Sequence, residues 1–469
     1  METLQRTANR GSISTGFDID NSLKFEPDNS ESILTDNQAS GNQKTWTWSG
    51  WLKRTELGSL QTIFGAGGTY VRFDSPDVLQ LQLSGTSVTT NAKFRDTSAW
   101  YHLVWILDTT QATAADRARI YINGSRITSF SSATYPSQNA DLDVGGTGSS
   151  LNWLQLGRWY AGGRNYAGYM AEVHYLNGTV AEPTEFGEYD SDSGIWIPKE
   201  YTGGGYGAQG YYYKFDNASN LGEDSSGEGH DASSLINITS ADQATDTPTN
   251  NFAIPNVIGT TRTNVFTYTE GGTKVIHQGG SDWNSWANTI AVGSGKWYAE
   301  FKIIGGNSHF VGVGSEDYYF VGAGSGTGWP EIYYGYSGTN SVGYHNTNGD
   351  IYNNGTQVVI GTTYTTNDII SVALDMDNGK VYFAKNGTYI NSQNPVTGTN
   401  AQNLPDTSAR YFIGTSHYTS SIGAECNFGG YTSFSIASGN SDSSGYGTFE
   451  YAPPSGYYAL CTKNLAEYG

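Results

Sequence analysis

Seven histidines and 44 Asp plus Glu provide most of the reactive groups in this 469-residue chain, and their spacing argues against catalysis. A retaining glycosidase needs two carboxylates about 5–5.5 Å apart, one as acid and one as nucleophile. On a strand, that means acids two or four residues apart on one face. Glu172 stands alone in YMAEVHYL, and Glu300 stands alone in WYAEFKI. Asp375 and Asp377 in DMDNG have the spacing, but Asp377 opens a turn, where Asp serves local hydrogen bonding. A serine or thiol nucleophile needs a base beside it. No G-x-S-x-G elbow occurs. His102 and His174 sit within apolar strand patterns, where a packed, hydrogen-bonded imidazole is the expectation. Cys426 lies in a strand pattern and Cys461 in a C-terminal apolar stretch; their pairing stays open. We expect no catalytic residues.

Calcium is the one cofactor the residue types allow, because it takes several oxygen ligands from acidic loops. Asp18 with Asp20, Asp141 with Asp143, and Glu188 with Asp190 and Asp192 are the candidates. None has EF-hand spacing, and solvated acidic loops explain them equally, so no metal ligands are assigned. GAGSGTG (322–328) lacks the Lys-Ser/Thr of a phosphate loop. What remains is aromatic. Trp283 and Trp286 in QGGSDWNSWANT, Tyr318 and Tyr319 after Glu316-Asp317, and Trp329 before Pro330 fall in loop-like composition. Rings of this kind stack on sugar faces and anchor interfaces, so these five are the expected ligand-binding residues, with burial in the core as the alternative for Trp283, Trp286 and Trp329.

The elements that must hold them are strands. KTWTWSGWLKR (44–54) alternates, and WYHLVWILD (100–108) is apolar on both faces. The second pattern predicts a central strand covered on both sides. Asn123-Gly124 supplies the two positive φ values of a type I′ hairpin turn. The same pair recurs at 177, 378 and 386, with further candidates at 348 and 354. Repeated hairpins mean antiparallel sheets. No long helical period occurs; 181–190 and 112–119 each allow one short turn. SLKFEPDNSES (22–32) and YYYKFDNASNL (211–221) echo each other, as a repeat or as an edge strand returning beside the N-terminus.

Composition agrees. Glycine numbers 61, aromatic residues make up 14% and charged residues 14%, and the net charge is −20. An acidic chain poor in Lys and Arg is not built to neutralise phosphates, so no nucleic-acid partner is expected. No run of about 18 apolar residues predicts membrane insertion, and the start METLQRTANRGSISTG has no apolar stretch typical of a secretory signal.

Six pieces in order, SLKF (22–25), TWTWSGWLK (45–53), WYHLVWILD (100–108), ARIYINGSRI (118–127), LQLGRWYAGGRNYAGYMAEVHYLNG (154–178) and YKFDNASNLGEDSSGEGHD (213–231), resemble laminin-G-like, concanavalin A-type sandwiches. SGKWYAEFKI (294–303), HFVGVG (309–314), YYGYSG (333–338), NDIISVALDMDNGKVYFAKNG (367–387), YFIG (411–414) and CNFGG (426–430) resemble SPRY domains. The resemblance implies an all-β fold of two tandem antiparallel β-sandwich (jelly-roll) domains, concanavalin A-like then SPRY-like. It also implies calcium at the rim of the first and a partner-binding loop surface on the second. The expected divisions are 1–21 as an N-terminal attachment segment, 22–235 as the first sandwich and 236–255 as a linker. The second sandwich follows at 256–435, with a C-terminal segment, 436–469, packed on it.

The module pair, with RGSISTGFDIDNSL (10–23) before it and YAPPSGYYALCTKNL (451–465) after it, resembles structural proteins of tailed marine bacteriophages. That resemblance implies a virion location, other virion proteins and a host cell-surface glycan as partners, and a homo-oligomer. The expected function is non-enzymatic: a virion surface protein (fibre, appendage or capsid decoration) adhering to host glycans through sandwich loops. A purely architectural cement protein and a polysaccharide-degrading enzyme are the alternatives.

Overall fold

A computed structural model describes residues 16–35, 41–142, 144, 154–260, 265–319, 333–335 and 338–469. The chain divides into two units, Met1–Asn250 and Asn251–Gly469, and each is built on two antiparallel sheets.

In the first unit, the strand Trp100–Asp108 runs between Thr45–Arg54 and Ala118–Ile122. It is covered on both faces, as its two apolar faces predict. On the inner side, Trp46 and Trp105 meet edge to face at 4.5 Å, and Trp48 stacks on Phe64 of the opposing sheet at 5.5 Å. Each ring is fully buried, and a large apolar side chain fully buried contributes about 1.5–3 kcal/mol. The two echoing segments resolve as neighbours. Ser22–Phe25 and Tyr211–Tyr213 pair with successive stretches of one strand, Gly168–Asn177.

The stretch expected to be a linker, 236–255, is mostly folded into this unit. Gln243–Ala244 adds a strand beside Ser22–Leu23. Lys53 Nζ lies 2.6 Å from Asp246 and Lys24 Nζ 2.9 Å from Asp242, with Glu31 3.0 Å from Lys24. Its polar composition, which reads as solvated, supplies the counter-charges of two buried lysines. A buried charge is tolerable only when paired.

The second unit closes one sheet around Tyr411–His417, His309–Ser315 and Ser341–His345. The other sheet is built around Gly423–Asn427, Lys296–Ile304 and Ile369–Asp375. Residues Tyr458–Ala459 run parallel to Trp297–Tyr298. Buried Glu300 accepts the backbone N–H groups of Glu450 and Tyr451 at 2.9 and 2.8 Å, and burial pushes its pKa up to about 7. The chain ends in a helix, Thr462–Tyr468, that its seven residues do not announce in sequence. Cys426 and Cys461 are buried and not joined in a disulfide.

Asn123-Gly124, Asn354-Gly355 and Asn386-Gly387 have both φ values positive, as a type I′ turn requires. At 177–178, 348–349 and 378–379 only the glycine does, so these three turn by other routes. The two short helical turns fall at Ala114–Asp116 and Pro183–Glu185.

Candidate functional site

Two surfaces gather side chains capable of chemistry, one in each unit. In the first, Thr45–Arg54, Trp100–Asp108 and Gly168–Asn177 lie side by side, and their outward residues form rows. Trp51 stands opposite His102, and Ser49 opposite His174. One extra residue in the third strand shifts the register between Ala171 and His174 and sets Glu172 at φ 49°. Ser49, Trp51, His102, Glu172, His174 and Phe186 close around a pocket too tight to hold a ligand.

The hydrogen bonds define its protonation. Trp196 Nε1 can only donate, and it donates to His102 Nδ1 at 3.0 Å. The ring proton of neutral His102 is therefore on Nε2, which donates to Ser49 Oγ at 2.8 Å. This is the reverse of what a serine nucleophile needs, since the base must accept the hydroxyl proton. Burial, with a smaller effect from His174, pushes His102 down to about 3. His174 Nδ1 meets the Tyr206 hydroxyl at 2.9 Å, its ring stacks on Tyr212 at 4.0 Å, and Tyr212 donates to Glu172. Burial lowers the His174 pKa, and Glu172, 3.8 Å away, opposes it. Sequence placed these residues correctly within apolar strands but not together. What gathers them is strand order, which one strand's pattern does not carry.

In the second unit, the outer face of the sheet through His309–Ser315 is built differently. Its outward positions include Gly312, Gly343 and Gly414. A Cβ on Gly312 would sit 2.7 Å from Tyr334 Cβ, and one on Gly414 would sit 2.6 Å from the Tyr334 hydroxyl. The missing side chains let Tyr334 lie flat on the backbone and donate to Trp286 O at 2.8 Å. Around it stand half-buried rings. Trp283 lies 5.0 Å from Phe310, 5.2 Å from Tyr333, 6.1 Å from His345 and 5.4 Å from Tyr418. Phe310 is sandwiched between Tyr333 at 4.6 Å and His345 at 4.4 Å.

Of the five expected binding residues, Trp283 belongs to this ring set. Trp286 does not: it is fully buried and packs 6.1 Å from Phe301. The loop-like composition conceals a strand, Asn284–Asn288, whose alternation turns Trp286 inward. Tyr318 and Tyr319 lie in a short 3₁₀ turn, Glu316–Tyr319, and their side chains, like Trp329, lie outside the described residues. The partners that sequence reasoning missed, Phe310, Tyr333, His345, Tyr352 and Tyr418, come from five separate segments. The alternating glycines of HFVGVG were the available signal for a flat outer face.

Behind the ring set, a proton chain is fixed. Gly305 O accepts from His309 Nε2 at 3.1 Å, so His309 Nδ1 accepts from His417 Nδ1 at 3.0 Å. His417 Nε2 in turn accepts from Thr415 Oγ1 at 2.6 Å. Burial holds His309 down at about 4 and His417 well below the ordinary imidazole range.

Of the calcium candidates, Asp190 caps its own turn through Ser193 N at 2.7 Å, Asp141 faces Lys44 at 3.6 Å, and Glu188 faces Lys199 at 3.9 Å. Asp143 is outside the described residues. Among the described residues, no group of three or more His, Cys, Asp or Glu is arranged to hold a metal ion.

Residues 27–184 match the family model of the concanavalin A-like lectin/glucanases superfamily, and residues 296–429 match that of the SPRY domain. The chain carries a concanavalin A-like, laminin-G-like domain followed by a SPRY domain, both β-sandwiches. No curated protein sequence matches it. Among solved structures, it is similar to the SPRY domain of human HERC1, with 17% identity, TM-score 0.28, and coverage of 38% of this chain and 96% of that one. It is also similar to a putative carbohydrate binding protein from Bacteroides ovatus, with 18% identity, TM-score 0.32, and coverage of 47% and 59%. A heptameric SAP-like pentraxin from Limulus polyphemus follows at 13% identity, TM-score 0.26, and coverage of 35% and 80%.

Proposed function

We propose that this chain is a non-catalytic adhesion protein on the surface of a tailed-phage virion, and that its SPRY domain holds a host glycan at the ring set around Trp283. The observation that carries this reading is the set itself. Six half-buried or buried rings from separate segments converge on a glycine floor, and planar apolar faces beside polar edges are what sugar rings stack on. The virion location draws on the sequence resemblance of the module pair and its flanking segments. The non-catalytic assignment draws on the Ser49–His102 pair, whose proton sits on the wrong nitrogen for nucleophile activation.

A glycan array probed with the full chain and with Trp283→Ala tests the binding. The expected result is a defined set of bound glycans whose retention falls at least tenfold in the variant. Equal retention by the variant would move the site elsewhere. Mass spectrometry of purified virions tests the location, and absence of the chain from particles would overturn it.

A further inference from the structure

A different part of the molecule carries a charge arrangement that the ring set does not use. In the sheet opposite the histidine-bearing one, the half-exposed outer positions lie on its later strands, Val78–Leu83 and Thr86–Lys93, while Gln61–Ala66 is buried on both faces. Along Val78–Leu83 the burial alternates, with Leu79, Leu81 and Leu83 inside and Gln80 and Gln82 half-exposed. Tyr70 and Arg72 lie on the neighbouring strand, and the Arg72 guanidinium sits 5.5 Å from the Tyr70 ring. The loop GRWYAGGRN (157–165) folds beside this face. It is pinned by Gly157 N to Ile63 O at 2.9 Å and Thr62 N to Arg164 O at 2.7 Å.

The arginines of this loop differ from the rest. In a chain of net charge −20, Arg54, Arg72, Arg95, Arg119, Arg126 and Arg410 each face a carboxylate. Arg117 donates to three backbone carbonyls. Among the described residues, Arg158 and Arg164 face neither. The Arg164 guanidinium lies 4.1 Å over the Trp159 ring and 3.5 Å from the Tyr70 hydroxyl. Trp159 in turn meets Tyr160 edge to face at 4.9 Å. Arg158 Nε, Trp159 Nε1 and Arg72 Nε are N–H donors without an acceptor. These three atoms are shut off from solvent, and Arg54 Nε, Arg119 Nε and Trp105 Nε1 elsewhere lack acceptors too, so what the loop offers to an outside group is its two half-buried arginine side chains, which no carboxylate among the described residues neutralises.

We propose that this loop is a binding site for an acidic saccharide. Carboxylate or sulfate groups would lie on Arg158 and Arg164, and a sugar ring against the half-buried Trp159 and Tyr160. A planar guanidinium takes a carboxylate or sulfate bidentately. The surrounding negative charge disfavours a long uniform polyanion such as nucleic acid, while a locally anionic sugar with apolar ring faces suits arginine beside tryptophan. The assignment does not rest on the ring set of the SPRY domain.

The test is binding of the full chain to polygalacturonate, dextran sulfate, neutral dextran and polyglutamate, at about 20 mM and about 500 mM salt. The expected result is salt-sensitive binding to polygalacturonate (a carboxylate source) or dextran sulfate (a sulfate source), with neutral dextran ignored. Arg158→Gln and Arg164→Gln should each weaken it at least fivefold, and Trp283→Ala should leave it unchanged. Arg158→Gln alters a half-exposed side chain with no bonded partner, so its thermal midpoint should match that of the wild type and keep the test independent of folding. No binding to either acidic polymer, equal binding by both arginine variants, or equal affinity for polyglutamate would overturn the assignment.

Discussion

In the concanavalin A-like domain, the sheet through Thr45–Arg54 has its outer face sealed by the chain itself. Ala181, Phe186, Tyr206 and Trp196 cover Val104, Ile106, Leu176 and His102, and the imidazoles beneath are tied to Trp196, Ser49 and Tyr206. In the SPRY domain, the corresponding outer face has no such layer among the described residues. Tyr334 lies on glycine, and half-buried rings ring it. Each surface contains histidine and aromatic residues, so composition does not separate them. What separates them is whether the polar edges have been used up internally. A surface whose donors and acceptors are all consumed serves stability; one that leaves ring faces partly open is available to a partner.

The domains also neutralise buried charge differently, and the largest expected effect tests this. Asp246→Asn leaves Lys53 buried without its counter-ion, and we expect a loss of about 3–5 kcal/mol. Denaturant melts followed by near-UV circular dichroism should show it in the first domain's transition, with the second unmoved. A matched shift of both transitions would remove the distinction.

The SPRY domain should instead respond to acid. His309 has an ordinary value of 6.5 and is held at about 4 in the fold. The unfolded chain therefore takes up the proton first as pH falls. The stabilisation is full above pH 6.5 and is lost between 6.5 and about 4, amounting to about 3 kcal/mol for a shift of this size. Protonation also sets two N–H groups against each other in the His417–His309 bond. Glu300, raised to about 7, works in the opposite sense: its contribution is present below 4.5 and lost as pH rises through 7. The comparison that isolates the histidine is His309→Asn, whose melts should have a flatter acid limb than the wild type. An unchanged limb would assign the acid response to other groups.

The smallest effects sharpen the contrast between faces. Trp196→Phe removes the indole donor to His102 Nδ1 and should cost about 1–3 kcal/mol with no change in glycan retention. Trp283→Ala should cost about 1 kcal/mol and lower retention at least tenfold. If the two variants exchanged these outcomes, the assignment of sealed and open faces would be reversed.

Much of this was legible in the residues. WYHLVWILD declares a strand covered on both sides, and the Trp46, Trp48, Leu52 alternation gives the core face, because a two-residue period is written into the sequence. The Asn-Gly pairs mark turns, though only half have the expected geometry, since the dihedral angles depend on how many residues the flanking strands leave over. Strand order was not legible. It alone brings Ser49, His102 and His174 together, or lays Phe310 between Tyr333 and His345. The linker expected at 236–255 differs for a related reason: its acids answer lysines some 200 residues earlier in the chain, Lys24 and Lys53. The Gly-Gly-Ser-Asp run before Trp283 leaves Trp286 open between loop and core, and the strand that begins one residue after Trp283 decides for the core.

The glycine floor beneath Tyr334 has a consequence for how this protein can diversify. At Gly312, Gly343 and Gly414 any side chain collides with backbone or with the tyrosine, so those positions are closed to drift. Trp283, Tyr333, Tyr352 and Tyr418 stand around the floor without being threaded through it. Exchanging them changes the outline of the recess while the sheet below stays as it is. A lineage could therefore vary the ligand it recognises by replacing a few rings, at little risk to the fold that carries them.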